Sequence, residues 1–144
     1  MVTNWRILVA EDEVFIALDL SFAVEDSGCQ VVGPVANVRD ALRLIDETVV
    51  AGAILDVNLL DGDISPVVER LIEIGTPFIL QTGLGLPPDL AARFPFLQVH
   101  SKPCDAATLI EQLLAMIESR RLDTEDWRRP NPPGSAFPDA STGS

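Results

Sequence analysis

Short apolar runs alternate with longer amphipathic stretches along the chain, the pattern of parallel strands covered by helices on both faces. The first run, Arg6-Ile7-Leu8-Val9-Ala10, gives way to an acidic cluster and then to a helical stretch in which Phe15, Leu18 and Phe22 recur at helical spacing. Gly28 closes that stretch, as a C-terminal glycine should. A second strand, Gln30 to Val35, carries β-branched residues around Gly33-Pro34. Proline removes a ladder donor, so this strand belongs near a sheet edge. In the second helix Val38, Ala41, Leu42 and Ile45 share one face, while Arg39, Asp40, Arg43 and Asp46 stay in water.

The third run, Ala53-Ile54-Leu55-Asp56, reads as a buried strand that ends in a carboxylate. A turn-rich segment through Asp61-Gly62-Asp63 delivers the third helix, with Pro66 in its first turn and Gly75 at its end. A fourth strand covers Phe78 to Gln81. It is followed by Thr82, a glycine- and proline-rich loop from Gly83 to Pro88, and a short helix around Asp89 to Phe94 with a weak apolar face, expected to be mobile. A fifth strand near Leu97 to His100 leads to Ser101-Lys102-Pro103 and a last helix striped by Ile110, Leu113, Leu114 and Ile117. The fold class is α/β, with five strand-helix units.

Composition sharpens this picture at the C-terminus. Beyond about Leu122 the chain turns to Pro, Gly, Ser and Asp with almost no periodicity, so residues 122–144 are expected to form a disordered tail after a domain spanning 4–121. A segment that short is not expected to be an effector domain, because folding below about 40 residues without disulfides or metal is uncommon. Trp127-Arg128-Arg129 is the one stretch of the tail that could dock a partner.

Charge removes one class of partner. Ten Lys and Arg against twenty-two Asp and Glu give a net charge of -12, which repels a phosphate backbone, so nucleic acid is excluded. No apolar stretch reaches the roughly 18 residues of a membrane span. Cys29 and Cys104 lie far apart without zinc or redox spacing, and no basic-then-apolar leader opens the sequence. A reducing cytoplasm is the expected home.

In open α/β sheets ligands bind beyond the carboxyl ends of the strands, so the polar residues there are the candidates. The first strand ends at Glu11-Asp12, the third at Asp56, the fourth at Thr82 and the fifth at Lys102. Three carboxylates, a hydroxyl and an ammonium are what a magnesium ion and a phosphoryl group need. Taken singly, each residue has an ordinary reading as a solvated loop acid, a helix-entry residue, a turn hydroxyl or a surface lysine. Four of them in order at successive strand ends are best read as one site. His100, the single histidine, is read as structural.

These residues resemble the receiver domain of two-component response regulators over roughly residues 4 to 121. The matching positions are Glu11-Asp12, Asp56 with Asn58 and Asp61-Gly62, Thr82-Gly83, and Lys102-Pro103. The resemblance implies a flavodoxin-like, CheY-like five-stranded parallel sheet with helices on both faces. It implies that Asp56 accepts a phosphoryl group from a phosphohistidine. Asp12 and Asp56 would hold Mg²⁺ through their side chains, Asn58 through its backbone carbonyl and Glu11 through a water. Lys102, the only lysine in the chain, would neutralise the transferring group, and Thr82 would bond the phosphoryl once attached. Pro103 resembles the family proline whose preceding peptide bond is typically cis.

The expected function is that of a stand-alone, single-domain response regulator. It is not expected to be an enzyme in its own right. Its expected partners are a sensor histidine kinase or histidine phosphotransfer protein and a downstream protein, with homodimerisation left open. The signal would leave through the fourth helix, fifth strand and fifth helix. A phosphate sink or relay intermediate is the nearest alternative. One departure from the family is Val99, three before the lysine, where many receivers carry an aromatic residue that moves with the threonine. The Thr82 to Gly85 loop resembles a subgroup with a flexible fourth helix, in which the signal is expected to be ordering of that loop and helix. Two other classes fit less well. A haloacid-dehalogenase-type phosphatase places an acid/base aspartate two residues past its nucleophile, where this chain has Asn58, and places the nucleophile after its first strand. A flavin carrier would have its phosphate repelled by Glu11-Asp12-Glu13.

Overall fold

The computed structural model describes residues 4–128. Five parallel strands form one sheet: β1 (Arg6–Ala10), β2 (Gln30–Val35), β3 (Gly52–Asp56), β6 (Phe78–Thr82) and β7 (Val99–Ser101), in the order β2-β1-β3-β6-β7. A two-residue hairpin, β4 (Asn58–Leu59) with β5 (Gly62–Asp63), interrupts the path from β3 to the third helix. Sequence pattern marks that segment only as turn-rich. This is the flavodoxin-like arrangement, with the change of winding direction between β1 and β3.

The pleat sorts the core into two layers. Leu8 and Ala10 on β1, Ala53 and Leu55 on β3, and Leu80 on β6 pack on one side, against α2 (Val38–Glu47), α3 (Ser65–Ile74) and Leu90 of α4 (Pro88–Arg93). Ile7, Val9, Ile54 and Ile79 point to the other side, against α1 (Val14–Asp26) and α5 (Ala106–Arg128). Because side chains alternate along a strand, strands apolar on both faces need helices on both faces. The expected faces of α2 and α5 are buried as read, with Leu42 and Leu114 at the margins.

The first helix turns out differently. Its buried residues are Ala17, Leu20 and Val24, whereas Phe15 is 82% exposed, Phe22 58% exposed, and Leu18 faces water with them. Both sets repeat with the same spacing, so periodicity locates the helix and leaves its buried face undecided. The smaller side chains let α1 sit close to β1 and α5, and the larger ones are left outside.

β2 lies at the sheet edge, as its proline requires, and the pairing with β1 shifts register between Leu8 and Ala10. Gly33 there has φ +97°, and a Cβ would stand 2.9 Å from Val35 N and 3.0 Å from Val9 O, so only glycine fits. Gly75 closes α3 in the left-handed region, as expected. The last helix continues past the composition change at Leu122 and ends at Arg128. The rest of the expected tail, from residue 129, and the side chains of Trp127-Arg128-Arg129 lie outside the described residues. None of the helices among the described residues is long and apolar enough to cross a membrane.

Candidate functional site

The carboxyl ends of β1, β3, β6 and β7 converge at one edge of the sheet. Asp56 closes β3 and pairs in register with Gln81 on β6, which pairs in turn with His100 on β7. Asp56 and Gln81 continue the alternation that turns Ile54 and Ile79 toward α1 and α5, and Glu11 follows Val9 by the same step of two. Elementary pleating therefore carries Glu11, Asp56 and Gln81 to one face. Glu11, Asp56, Gln81 and Thr82 are the buried polar side chains among the described residues.

Lys102 binds this cluster together. Its ammonium lies 3.1 Å from Asp56 Oδ2, 2.9 Å from Glu13 Oε2 and 3.1 Å from Glu11 Oε1. The peptide that follows, Lys102–Pro103, is cis, as the family pattern implies, and the Lys102 N–H donates to the Thr82 carbonyl at 2.8 Å. Burial pulls the Lys102 pKa down, but hydrogen bonds to Glu13, Asp56 and Glu11 outweigh it and raise the value, keeping the group cationic. Glu11 accepts from the Glu13 N–H at 3.1 Å and from Gln81 Nε2 at 2.8 Å. Burial, followed by the neighbouring Asp56 carboxyl, pushes Glu11 up to about 7 against the lowering effect of the Glu13 N–H and Lys102. One ammonium does not neutralise this much acid.

Four carboxylates offer ligand atoms to a cation, since oxygens of Glu11, Asp12, Glu13 and Asp56 lie within 4.8 Å of one another. Hard oxygen donors at that spacing suit a divalent ion such as Mg²⁺, which takes few protein ligands and keeps its waters. Asn58 sits beside them on the hairpin, its N–H donating to Asp56 Oδ1 at 3.2 Å.

Thr82 is buried but engaged elsewhere. Its hydroxyl donates to the Gly85 carbonyl at 2.9 Å and accepts from the Leu84 N–H at 3.1 Å, so it closes its own turn and makes no bond to the acidic cluster. Of the residues picked out in sequence, Glu11, Asp12, Asp56, Asn58 and Lys102 come together, and Thr82 stands at the rim. Asp61 is structural, because its carboxylate accepts from the Val38 and Arg39 N–H groups at 2.6 and 3.2 Å and so caps α2. Sequence reasoning missed Glu13 as a partner of Lys102, and it missed Gln81. An amide on an otherwise apolar strand, next to the expected threonine, was the available signal. His100 has its Nε2 buried without a partner and takes no part in the cluster.

No family model matches the chain. It is 27% identical to the transcription regulator BvgA of Bordetella pertussis over 88 residues, which are 61% of this chain and 42% of BvgA. The chain thus spans less than half the length of that curated relative. It is 35% identical to SdrG of Pseudomonas melonis Fr1 in its BeF3-activated conformation, with TM-score 0.62, over 81% of this chain and 99% of SdrG. A CheY-like receiver domain protein of Methanospirillum hungatei JF-1 superposes with TM-score 0.74 at 19% identity, over 84% of this chain and 99% of that one, and shares the fold.

Proposed function

The chain belongs to the response regulator receiver domains, and on that premise we propose that it takes a phosphoryl group from a phosphohistidine donor onto Asp56. The observation that carries this is the meeting of Asp56, Lys102 and the acidic pair in one cluster, with Glu11 and Asp56 buried at its floor. A carboxylate oxygen of Asp56 attacks phosphorus, the P–N bond of the donor breaks, and its electron pair leaves with the imidazole nitrogen, giving an acyl phosphate. Asp12 and Asp56 would hold Mg²⁺ by their side chains, Asn58 by its carbonyl and Glu11 through a water. When bound, the ion neutralises charge on the acids and on the transferring oxygens. Lys102 exchanges its carboxylate partners for the phosphoryl oxygens and stabilises the loose transition state. Accepting one group without turnover is stoichiometric signalling rather than enzymatic catalysis.

The donor is a sensor histidine kinase or a phosphotransfer protein in the cytoplasm. The exposed Phe15, Leu18 and Phe22 face of α1, which begins just after Glu11-Asp12-Glu13, gives such a donor an apolar surface beside the pocket. Once Asp56 is phosphorylated, Thr82 leaves its turn to bond the new oxygens. That frees the Leu84 amide and the Gly85 carbonyl and reorganises the segment from Gly83 to Phe94, which passes the signal to the α4, β7 and α5 surface. Val99 takes the place of an aromatic partner for this movement, so the loop itself carries the change.

The direct test is incubation with acetyl phosphate and Mg²⁺ followed by intact mass. Wild type gains one phosphoryl adduct and Asp56→Ala gains none at this site. An equal adduct on both proteins would refute the assignment, and sustained hydrolysis of phosphate monoesters would favour a phosphatase instead.

A further inference from the structure

Gln81 sits on the central sheet, 1% exposed, between Asp56 and His100 in register. Its Nε2 donates to Glu11 Oε1 at 2.8 Å across 70 residues of sequence. The other side chain that donates to Glu11 is Lys102, which reaches Oε1 at 3.1 Å and Oε2 at 3.2 Å, while the Glu13 N–H serves Oε2. Oε1 therefore has two donors, and one of them is shared among three carboxylates.

We propose that Gln81 is a positioning residue for the cation pocket. Its amide holds Glu11 against the sheet and thereby sets the affinity of the site for a divalent cation. This rests on the phosphoacceptor reading of Asp56. Before any phosphoryl group arrives, the Lys102 ammonium is already divided among Glu11, Glu13 and Asp56, so the Gln81 amide at 2.8 Å is the steadier donor to Oε1. A buried carboxylate left short of donors bears a desolvation cost or turns out toward water, and either outcome takes it from the ion's water shell. A neutral amide suits this position. A second cation there would compete with the metal for Glu11, and an apolar side chain would offer no bond. Groups that orient a metal's ligands typically cost at least about tenfold in metal affinity or activity when removed, and Gln81 touches Glu11 rather than the phosphoacceptor, which puts its effect on affinity.

The test is a Mg²⁺ titration by calorimetry, without phosphodonor, on wild type and Gln81→Met, which keeps the volume and removes the donor. Binding should weaken by about tenfold. In acetyl phosphate labelling, the Mg²⁺ concentration for half-maximal rate should rise by the same factor, with the rate at saturating Mg²⁺ within about twofold of wild type. A purely structural residue would lower stability without this split. Gln81→Asn, whose shorter amide is drawn back from Glu11, should show the same shift and serves if the methionine variant does not fold. Unchanged affinity in a folded variant, with wild type binding Mg²⁺, overturns this proposal alone. Wild type that binds no Mg²⁺ overturns the metal-site reading as well.

Discussion

The Lys102 ammonium lies 3.1 Å from Asp56 Oδ2, a contact between residues 46 apart in sequence, and the same nitrogen also holds Glu11 and Glu13. The lysine thus balances the acids of the resting pocket, and in the proposed transfer it would turn to the phosphoryl oxygens.

Removing that cation leaves Glu11 and Asp56 buried without a counter-charge. Lys102→Met should lose about 2 kcal/mol of stability in urea unfolding with EDTA present, because the acids that remain lose their donor. Added Mg²⁺ should recover much of the loss. An unfolding midpoint equal to wild type in EDTA would contradict the idea that the ammonium stabilises the resting pocket.

The outward face of α1 contributes little to folding. Replacing Phe15, Leu18 and Phe22 together by serine should change stability by about 0.5 kcal/mol per site or less, as for other exposed positions. Labelling by acetyl phosphate should be unaffected, and transfer from the cognate phosphohistidine protein should slow at least tenfold, a loss of about 1.4 kcal/mol of transition-state binding. If both donors slowed alike, the face would belong to the fold and not to a partner.

Thr82→Val removes the hydroxyl while preserving shape. In wild type the Leu84 amide should be protected from exchange by Thr82 Oγ1 and should lose that protection when a beryllofluoride mimic occupies the site. In the valine variant Leu84 should exchange quickly from the outset and respond little to the mimic. The acyl phosphate should still form. Amide exchange by NMR reads the Leu84 outcomes and intact mass reads the acyl phosphate, and a Leu84 amide indifferent to the substitution would remove Thr82 from the proposed signal path.

Asp61 gives a pH prediction. The Val38 N–H lowers its pKa from 3.8, with the Arg39 N–H adding to the effect against desolvation. A carboxyl whose folded value is depressed contributes stability that is fully present above 3.8 and is lost as pH falls through the folded value. Asp61→Ala should therefore lower the urea midpoint at neutral pH, and the gap to wild type should close on acidification below 3.8. A gap that persisted through that range would mean the capping charge is not what stabilises α2.

Much of this was legible in the chain itself. Runs apolar at consecutive positions, such as Ile7 to Ala10 and Ala53 to Leu55, are buried on both faces, so their composition alone required helices above and below. Parallel strands also force their polar ends to one edge, which is why Glu11-Asp12, Asp56 and Lys102 can be joined from their order along the chain. The sequence could not choose between the two equally spaced stripes of α1, because periodicity fixes an axis and only the neighbouring β1 and α5 decide which side is covered. Nor could it show that Gln81 reaches Glu11 or that Thr82 is held in its own turn. Those contacts depend on register between distant strands and on side-chain direction, and both are set by packing across the sheet rather than by neighbours along the chain.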